Sequence, residues 1–348
     1  MDNLKIFNKF GFYFIMNKTH FLFISLFFVY IASSLTLVSC SQKKKTATSE
    51  SLAKMNAVSV IIDDQLWNGE VGDSLRNKFA SPVIGLQEEE PIFTLNQYPG
   101  KLLEGFITNS RNIIVVKKEA RSKFYIRENE YVTPQLAVHV SGVSVKELLD
   151  SIEKNAPKII QEIKSSEIKV FQNHIKSDKL ASDKIESRFN VKLNIPTKYK
   201  IVVQSKKFIW LKKEITSGNL SLLIYQISKS NIKDTTNIVN SITKIRDSIG
   251  KRYIHGSKRR TRMITEPAFS PYLFKTTIHG KLAFETKGTW DLKNDFMSGP
   301  YINYAFIDKE RNRILIVEGF CYAPSKEKRD IMLELESIIK TIRFNKKE

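Results

Sequence analysis

Only two cysteines, Cys40 and Cys321, occur in the 348 residues, and the first of them closes an apolar run. Residues 21–37 are almost uncharged, rich in Phe, Leu and Ile, and preceded by Lys18, which is the pattern of a secretory signal. The run ends in Leu37-Val38-Ser39-Cys40, the form of a lipobox. Cleavage before Cys40 would free its thiol to carry lipid, palmitate included, and residues 1–39 are predicted to be a lipoprotein signal peptide. Met16 fits the start of such a signal better than Met1, because residues 16–40 alone have the usual signal length. With Cys40 acylated no intramolecular disulfide can form, so the fold has to rest on apolar burial even in an oxidising compartment. Cys321 lies in the apolar run Val317–Ala323 and reads as a small buried core residue.

Charge narrows the partners. Lys and Arg number 56 against 36 Asp and Glu, a net +20. In a cytosolic chain such an excess suggests nucleic acid. An exported chain meets anionic lipid headgroups, lipopolysaccharide and peptidoglycan instead, so nucleic acid is not expected as a partner. The segment 40–54, with Lys43–Lys45 followed by Thr, Ser and Ala, reads as a flexible polar tether. No acidic cluster follows Cys40, which favours an anchor in the outer membrane facing the periplasm.

Downstream, the pattern predicts an α+β fold: two α/β sandwich-like modules with mainly antiparallel sheets, joined by a helical segment. Residues 55–142 form the N-terminal α/β module. Val58–Ile62 is a β-branched strand, Leu66, Trp67, Val71, Leu75 and Phe79 mark a helix, and Ile92–Leu95, Ile113–Val116, Phe124–Ile126 and Leu136–Val140 are further strands. A helical or loop stretch is expected around Leu102–Phe106. Ser144-Val145-Lys146-Glu147 is a capping box that opens a helical connector over 143–189, with Pro157 suited to the first turn of a second helix. The C-terminal α+β module, 190–345, is expected to be an antiparallel sheet with helices on one face. Its strands are Val191–Pro196, Phe208–Leu211, Leu220–Ile227, Tyr272–Ile278, Leu282–Thr289, Tyr301–Ile307 and Arg313–Tyr322. Ile238, Ile242, Ile245 and Ile249 mark a helix ended by Gly250, and Ile331, Leu335, Ile338 and Ile342 mark the last one.

Hydrolase, nucleotide and metal signatures are missing from the sequence. There is no Gly-x-Ser-x-Gly elbow, no phosphate-cradling glycine loop, and His139, His174, His255 and His279 are scattered without metal-ligand spacing. No cofactor or metal is therefore expected. Two features carry functional weight. Glu318 in an apolar strand, with Glu285 and Asp291 flanking Trp290, could supply the paired carboxylates of a glycan-active hydrolase, and Glu70 and Asp73 sit similarly beside Trp67. The same Glu318 could instead pair with a cross-strand Lys or Arg. The run Lys258-Arg259-Arg260-Thr261-Arg262, following Lys251-Arg252, is the densest basic stretch. Arg259, Arg260 and Arg262 are its anion-binding candidates, since guanidinium groups dock phosphate and carboxylate bidentately.

One ordered set of residues goes further. Leu66-Trp67-x-Gly-Glu70-x-Gly-Asp73, Glu90-Pro91-x-Phe93, Arg111-Asn112-Ile113, Phe208-Ile209-Trp210, Gly288-x-Trp290, Gly299-Pro300 and Val317-Glu318-Gly319-x-x-Tyr322-Ala323-Pro324-x-x-x-Lys328-Arg329 resembles the domain of unknown function 4837. That resemblance covers nearly the whole chain after the signal, implies a lipoprotein of Bacteroidetes-type bacteria, and brings no reaction or ligand. Asn194-Ile195-Pro196-x-x-Tyr199, with the strands and closing helix after it, is more loosely similar to the Mog1/PsbP-type α/β/α sandwich. The functional expectation is thus a lipid-anchored envelope protein, tied to the membrane through Cys40, that binds an envelope protein or an anionic envelope polymer rather than catalysing a reaction. The opposing class is the glycan hydrolase.

Overall fold

A computed structural model describes residues 45–46, 55–100, 109–231 and 237–346. The signal peptide, Cys40, most of the tether and the stretch 102–106 lie outside the described residues. Lys45–Thr46, within the expected tether, pairs in parallel with Val132–Thr133. Among the described residues no helix is long and apolar enough to cross a membrane.

The first module is a five-stranded sheet built from β1 (Ala57–Ile61), β2 (Thr94–Tyr98), β3 (Asn112–Lys118), β4 (Lys123–Glu128) and β5 (Leu136–Gly142), in the order β2-β1-β3-β5-β4. Only the β5–β4 pair is antiparallel, so the mainly antiparallel expectation fails for this sheet while holding for the second. The cause is the crossover. Helices α1 (Asp64–Trp67) and α2 (Glu70–Phe79) lie between β1 and β2, and a strand that returns through a helix pairs in parallel. Val58, Val60, Ile114, Val116, Val138 and Val140 alternate onto one face and are covered by α2 and by α3 (Val145–Ile175).

Helix α3 runs for 31 residues through Pro157, where a new helix was expected. Ile152, Ala156, Ile159 and Ile163, on both sides of the proline, bury one continuous stripe against the first sheet, and this packing holds the helix together across the missing hydrogen bond. Its start is the expected one. Ser144 accepts from the Glu147 amide at 3.3 Å, and the Glu147 carboxylate reaches back to the Val143 amide at 3.2 Å. The connector then ends in α4 (Asp183–Phe189), terminated by Asn190 at φ +50°.

The second module is an eight-stranded antiparallel sheet of β6 (Lys200–Ser205), β7 (Phe208–Ile215), β8 (Gly218–Ser228), β9 (Arg262–Thr265), β10 (Tyr272–Ile278), β11 (Lys281–Lys293), β12 (Ser298–Asp308) and β13 (Arg313–Tyr322). The order is β9-β11-β12-β13-β8-β7-β6, and β10 pairs with the first half of β11 while β9 pairs with its end. Of Val191–Pro196 only Val191–Lys192 is a strand, joined to Arg343–Phe344.

Helices cover both faces of this sheet, not one. Successive side chains of a strand point to opposite sides. Ile302, Tyr304, Phe306, Leu315, Val317 and Cys321 therefore pack with α4 and with α6 (Arg329–Ile339). Tyr301, Ala305, Ile314, Ile316 and Phe320 pack on the opposite side, in a core that includes Ile242 of α5 (Ile238–Tyr253). Cys321 is free and fully buried, as expected, and burial pushes its thiol up to about 12. Gly250 does not end α5, which continues to Tyr253. It is glycine because a Cβ there would lie 2.2 Å from the Met263 carbonyl oxygen, where β9 crosses the helix.

The modules are joined by residues at the head of α6. Both Glu90 carboxylate oxygens accept backbone amides, those of Lys328 and Arg329, each at 2.7 Å. Arg329 donates in return to the Pro91 carbonyl at 3.0 Å and to Thr94, and Asn56 donates to Asp330 at 2.7 Å. A carboxylate at the exposed amides of a helix start satisfies donors that have no partner within the helix.

Candidate functional site

Glu318 is completely buried, and its charge is matched from α5. Arg246 Nε donates to Glu318 Oε1 at 2.8 Å, and Asn303 Nδ2 to Oε2 at 2.9 Å. The rest of the guanidinium is held as well. Nη1 donates to Thr265 at 3.0 Å, and the group stacks 3.9 Å from the Tyr301 ring centre. Burial raises the Glu318 carboxyl above the usual carboxylate range, and Arg246 and Asn303 draw it back toward ionisation. Its partner is thus a helix arginine, where a cross-strand one was expected. Arg246 escaped the sequence reading although the signal existed. It stands four residues after Ile242 and three before Ile249, which places it on the buried stripe of α5.

The carboxylate pair of the hydrolase reading is not assembled. Glu318 projects with Ile316 and Phe320 toward α5. Glu285 is the register partner of Tyr304, on the α6 side, and is paired with Lys287 at 2.9 Å. Asp291 alternates with Trp290 and Leu292, which enter the α5-side core, so it too points the other way. The sheet itself therefore separates Glu318 from both supposed partners. Asp291 lies instead against the Glu266 carboxyl. Partial burial and the adjoining Glu266 carboxyl push it up to about 6, while hydrogen bonds from Asp291 and the Ala268 amide lower Glu266.

The tryptophans are anchors rather than platforms for a sugar. Trp290 donates to the Cys321 carbonyl at 3.1 Å and Trp210 to Ser221 at 3.0 Å, while Arg76 covers the Trp67 ring at 4.6 Å. Glu70 and Asp73 sit in the first turn of α2, where negative charge meets exposed amides. His139, His255 and His279 are held by Glu130, by the Thr261 carbonyl and by the Lys340 carbonyl. Among the described residues no three His, Cys, Asp or Glu side chains gather to hold a metal ion.

The basic stretch, in contrast, does converge. Between α5 and β9 the chain makes a tight turn in which Thr261 accepts from the Gly256 amide at 2.9 Å and donates to the Lys258 carbonyl at 2.8 Å. Arg260 adopts φ +64°, and its carbonyl accepts from Asn294 at 3.1 Å. The result is an open depression lined by Lys251, His255, Lys258, Arg260, Arg262 and Asn294. Arg260 and Arg262 are brought together there, whereas Arg259 does not line it. Only Lys258 is neutralised, by Asp295 at 3.3 Å; Lys251, Arg259, Arg260 and Arg262 form no ion pair among the described residues. Thr261 and Asn294, which shape the turn, carried no signal in the sequence beyond their neighbourhood.

Comparison with known proteins agrees with the resemblance read from the sequence and divides it. Residues 178–341 match the family described as Domain of unknown function (DUF4837). Residues 51–176 match a second, Domain of unknown function (DUF8532), which takes in the motifs from Leu66 to Ile113. The boundary falls just past the end of α3, and the lock of Glu90 on Lys328 and Arg329 ties one matched segment to the other. No curated relative matches the chain. Among solved structures, the Ran-binding protein Mog1p of Saccharomyces cerevisiae is similar to 44% of this chain and 89% of that one, with 6% identity and a TM-score of 0.30.

Proposed function

We propose that this chain is a lipid-anchored protein of the cell envelope, tied through acylated Cys40 to the outer membrane on its periplasmic side, and that it docks without catalysis on an anionic envelope polymer. One observation carries the docking: Lys251, Arg260 and Arg262 line one depression and form no ion pair among the described residues, while Glu318 and Glu285 are each consumed by an internal cation. Cations held on a hydrogen-bonded turn suit phosphate or carboxylate groups presented in a row.

The test uses the native lipoprotein. Full-length protein is expected to sediment with purified peptidoglycan sacculi or with anionic vesicles, less so as salt is raised, and the Arg260→Ser/Arg262→Ser variant is expected to lose about tenfold in affinity. Unchanged sedimentation of that variant overturns the docking reading. Capture of a stoichiometric envelope protein that survives the double substitution would replace the polymer with a protein partner. For the anchor, radiolabelled palmitate should enter the wild-type chain and not Cys40→Ser.

A further inference from the structure

Between α3, the loop Val83–Ile92, the β10–β12 surface and α6 lies a cleft that encloses about 860 Å³. That size falls within the range of roughly 300–1,000 Å³ typical of small-molecule sites. Most of its wall is apolar, and Ile84 and Phe274 expose 50% and 39% of their surface at its mouth. One part of the wall is charged. Lys287 Nζ lies 2.9 Å from Glu285 and 3.8 Å from Glu336, and Lys340 Nζ lies 2.5 Å from Glu336.

Those contacts leave Lys164 of α3 over. It lines the cleft beside Lys287, Lys340 and Arg329 and, unlike those three, makes no ion pair among the described residues. Burial, reinforced by the like charges of Lys287 and Lys340 and only partly offset by Glu336 and Glu285, holds the Lys164 ammonium below the usual lysine range. Glu336, in turn, is kept at about 2 by Lys287, Lys340 and Lys164 despite its own burial, so it remains a fixed anion. Lys164 thus keeps an ammonium in a partly dry wall with no carboxylate at ion-pair distance among the described residues, which disfavours the empty cleft. A small hydrophilic anion would answer the charge and leave the apolar wall unused. A neutral hydrocarbon would do the reverse.

We propose that this cleft holds a single-chain anionic amphiphile, a fatty carboxylate whose head pairs with Lys164 and whose chain lies along Ile160, Ile168, Met332 and Phe274. The site is separate from the basic depression, and its test is independent of docking. A chain beginning at Lys45 contains every core residue described above and serves as the reagent without its own lipid. Displacement of a dansyl-labelled undecanoate probe is measured with palmitate and with hexadecanol. Palmitate is expected to displace the probe at about tenfold lower concentration than hexadecanol, and Lys164→Met to abolish that difference while Lys164→Arg keeps it. Phe274→Asp, at an exposed position, should weaken both ligands. Arg260→Ser/Arg262→Ser should change neither, so that loss of docking and loss of amphiphile binding read out separately. Failure of palmitate to displace the probe, or an unaltered palmitate preference in folded Lys164→Met, overturns the proposal.

Discussion

Arg246 on α5 and Glu318 on β13 meet at 2.8 Å with their side chains 1% and 0% exposed. A pair sealed this well is stabilising only while both members are present, because either alone is an uncompensated buried charge. Arg246→Met and Glu318→Gln are each expected to cost about 3–5 kcal/mol in chemical denaturation, and the double variant less than the sum. Additive losses in that cycle would mean the two do not act as a pair.

Glu90 offers a second test. Its carboxylate closes the start of α6 from the other module, so Glu90→Ala should lower stability by about 1.5–3 kcal/mol, the range for hydrogen bonds to a charged group. Glu90→Gln, which keeps an acceptor oxygen, should lose less. Trp67 in the first module and Trp210 and Trp290 in the second allow the melting of each to be followed by fluorescence. An unchanged midpoint for Glu90→Ala would show that the contact does not hold the modules.

The Asp291–Glu266 pair makes a pH prediction. Asp291 titrates at about 6 in the folded chain against 3.8 when unperturbed, so the folded state favours its protonated form. Its contribution is present at pH values below the unperturbed one and fades as pH rises through about 6. Asp291→Asn should therefore raise stability at pH 7–8 relative to wild type and give no gain near pH 4. A gain that is the same at both pH values would refute the assignment.

Gly250 is tested by one methyl group. Since the Cβ of Gly250→Ala would meet the Met263 carbonyl oxygen at 2.2 Å, the substitution is expected to destabilise by about 1–3 kcal/mol, although alanine is the better helix former. A more stable variant would mean that α5 and β9 do not approach so closely.

Much of this architecture could be read from period and composition. The capping box at Ser144, the α5 stripe and the alternation along Tyr301–Ile307 all matched local structure, because each is set by neighbours in sequence. What the sequence could not supply was pairing. β6 is an edge strand whose side chains are half-buried at most, and β9 is a four-residue strand whose partner lies at the far end of β11. Neither leaves a strong local mark. For the same reason Glu318, Glu285 and Asp291 looked alike as acids near aromatics, although their faces are fixed by the registers of β11, β12 and β13. Pro157 misled in the opposite sense, as tertiary burial overrode a local helix breaker.

The contact between Glu90 and the Lys328 amide spans 238 positions of the polypeptide. During synthesis the strands and helices of the earlier module can associate among themselves, but this clasp stays open until the C-terminal helix has emerged. A ribosome-bound intermediate of this chain would therefore carry an unengaged carboxylate at Glu90 until α6 arrives.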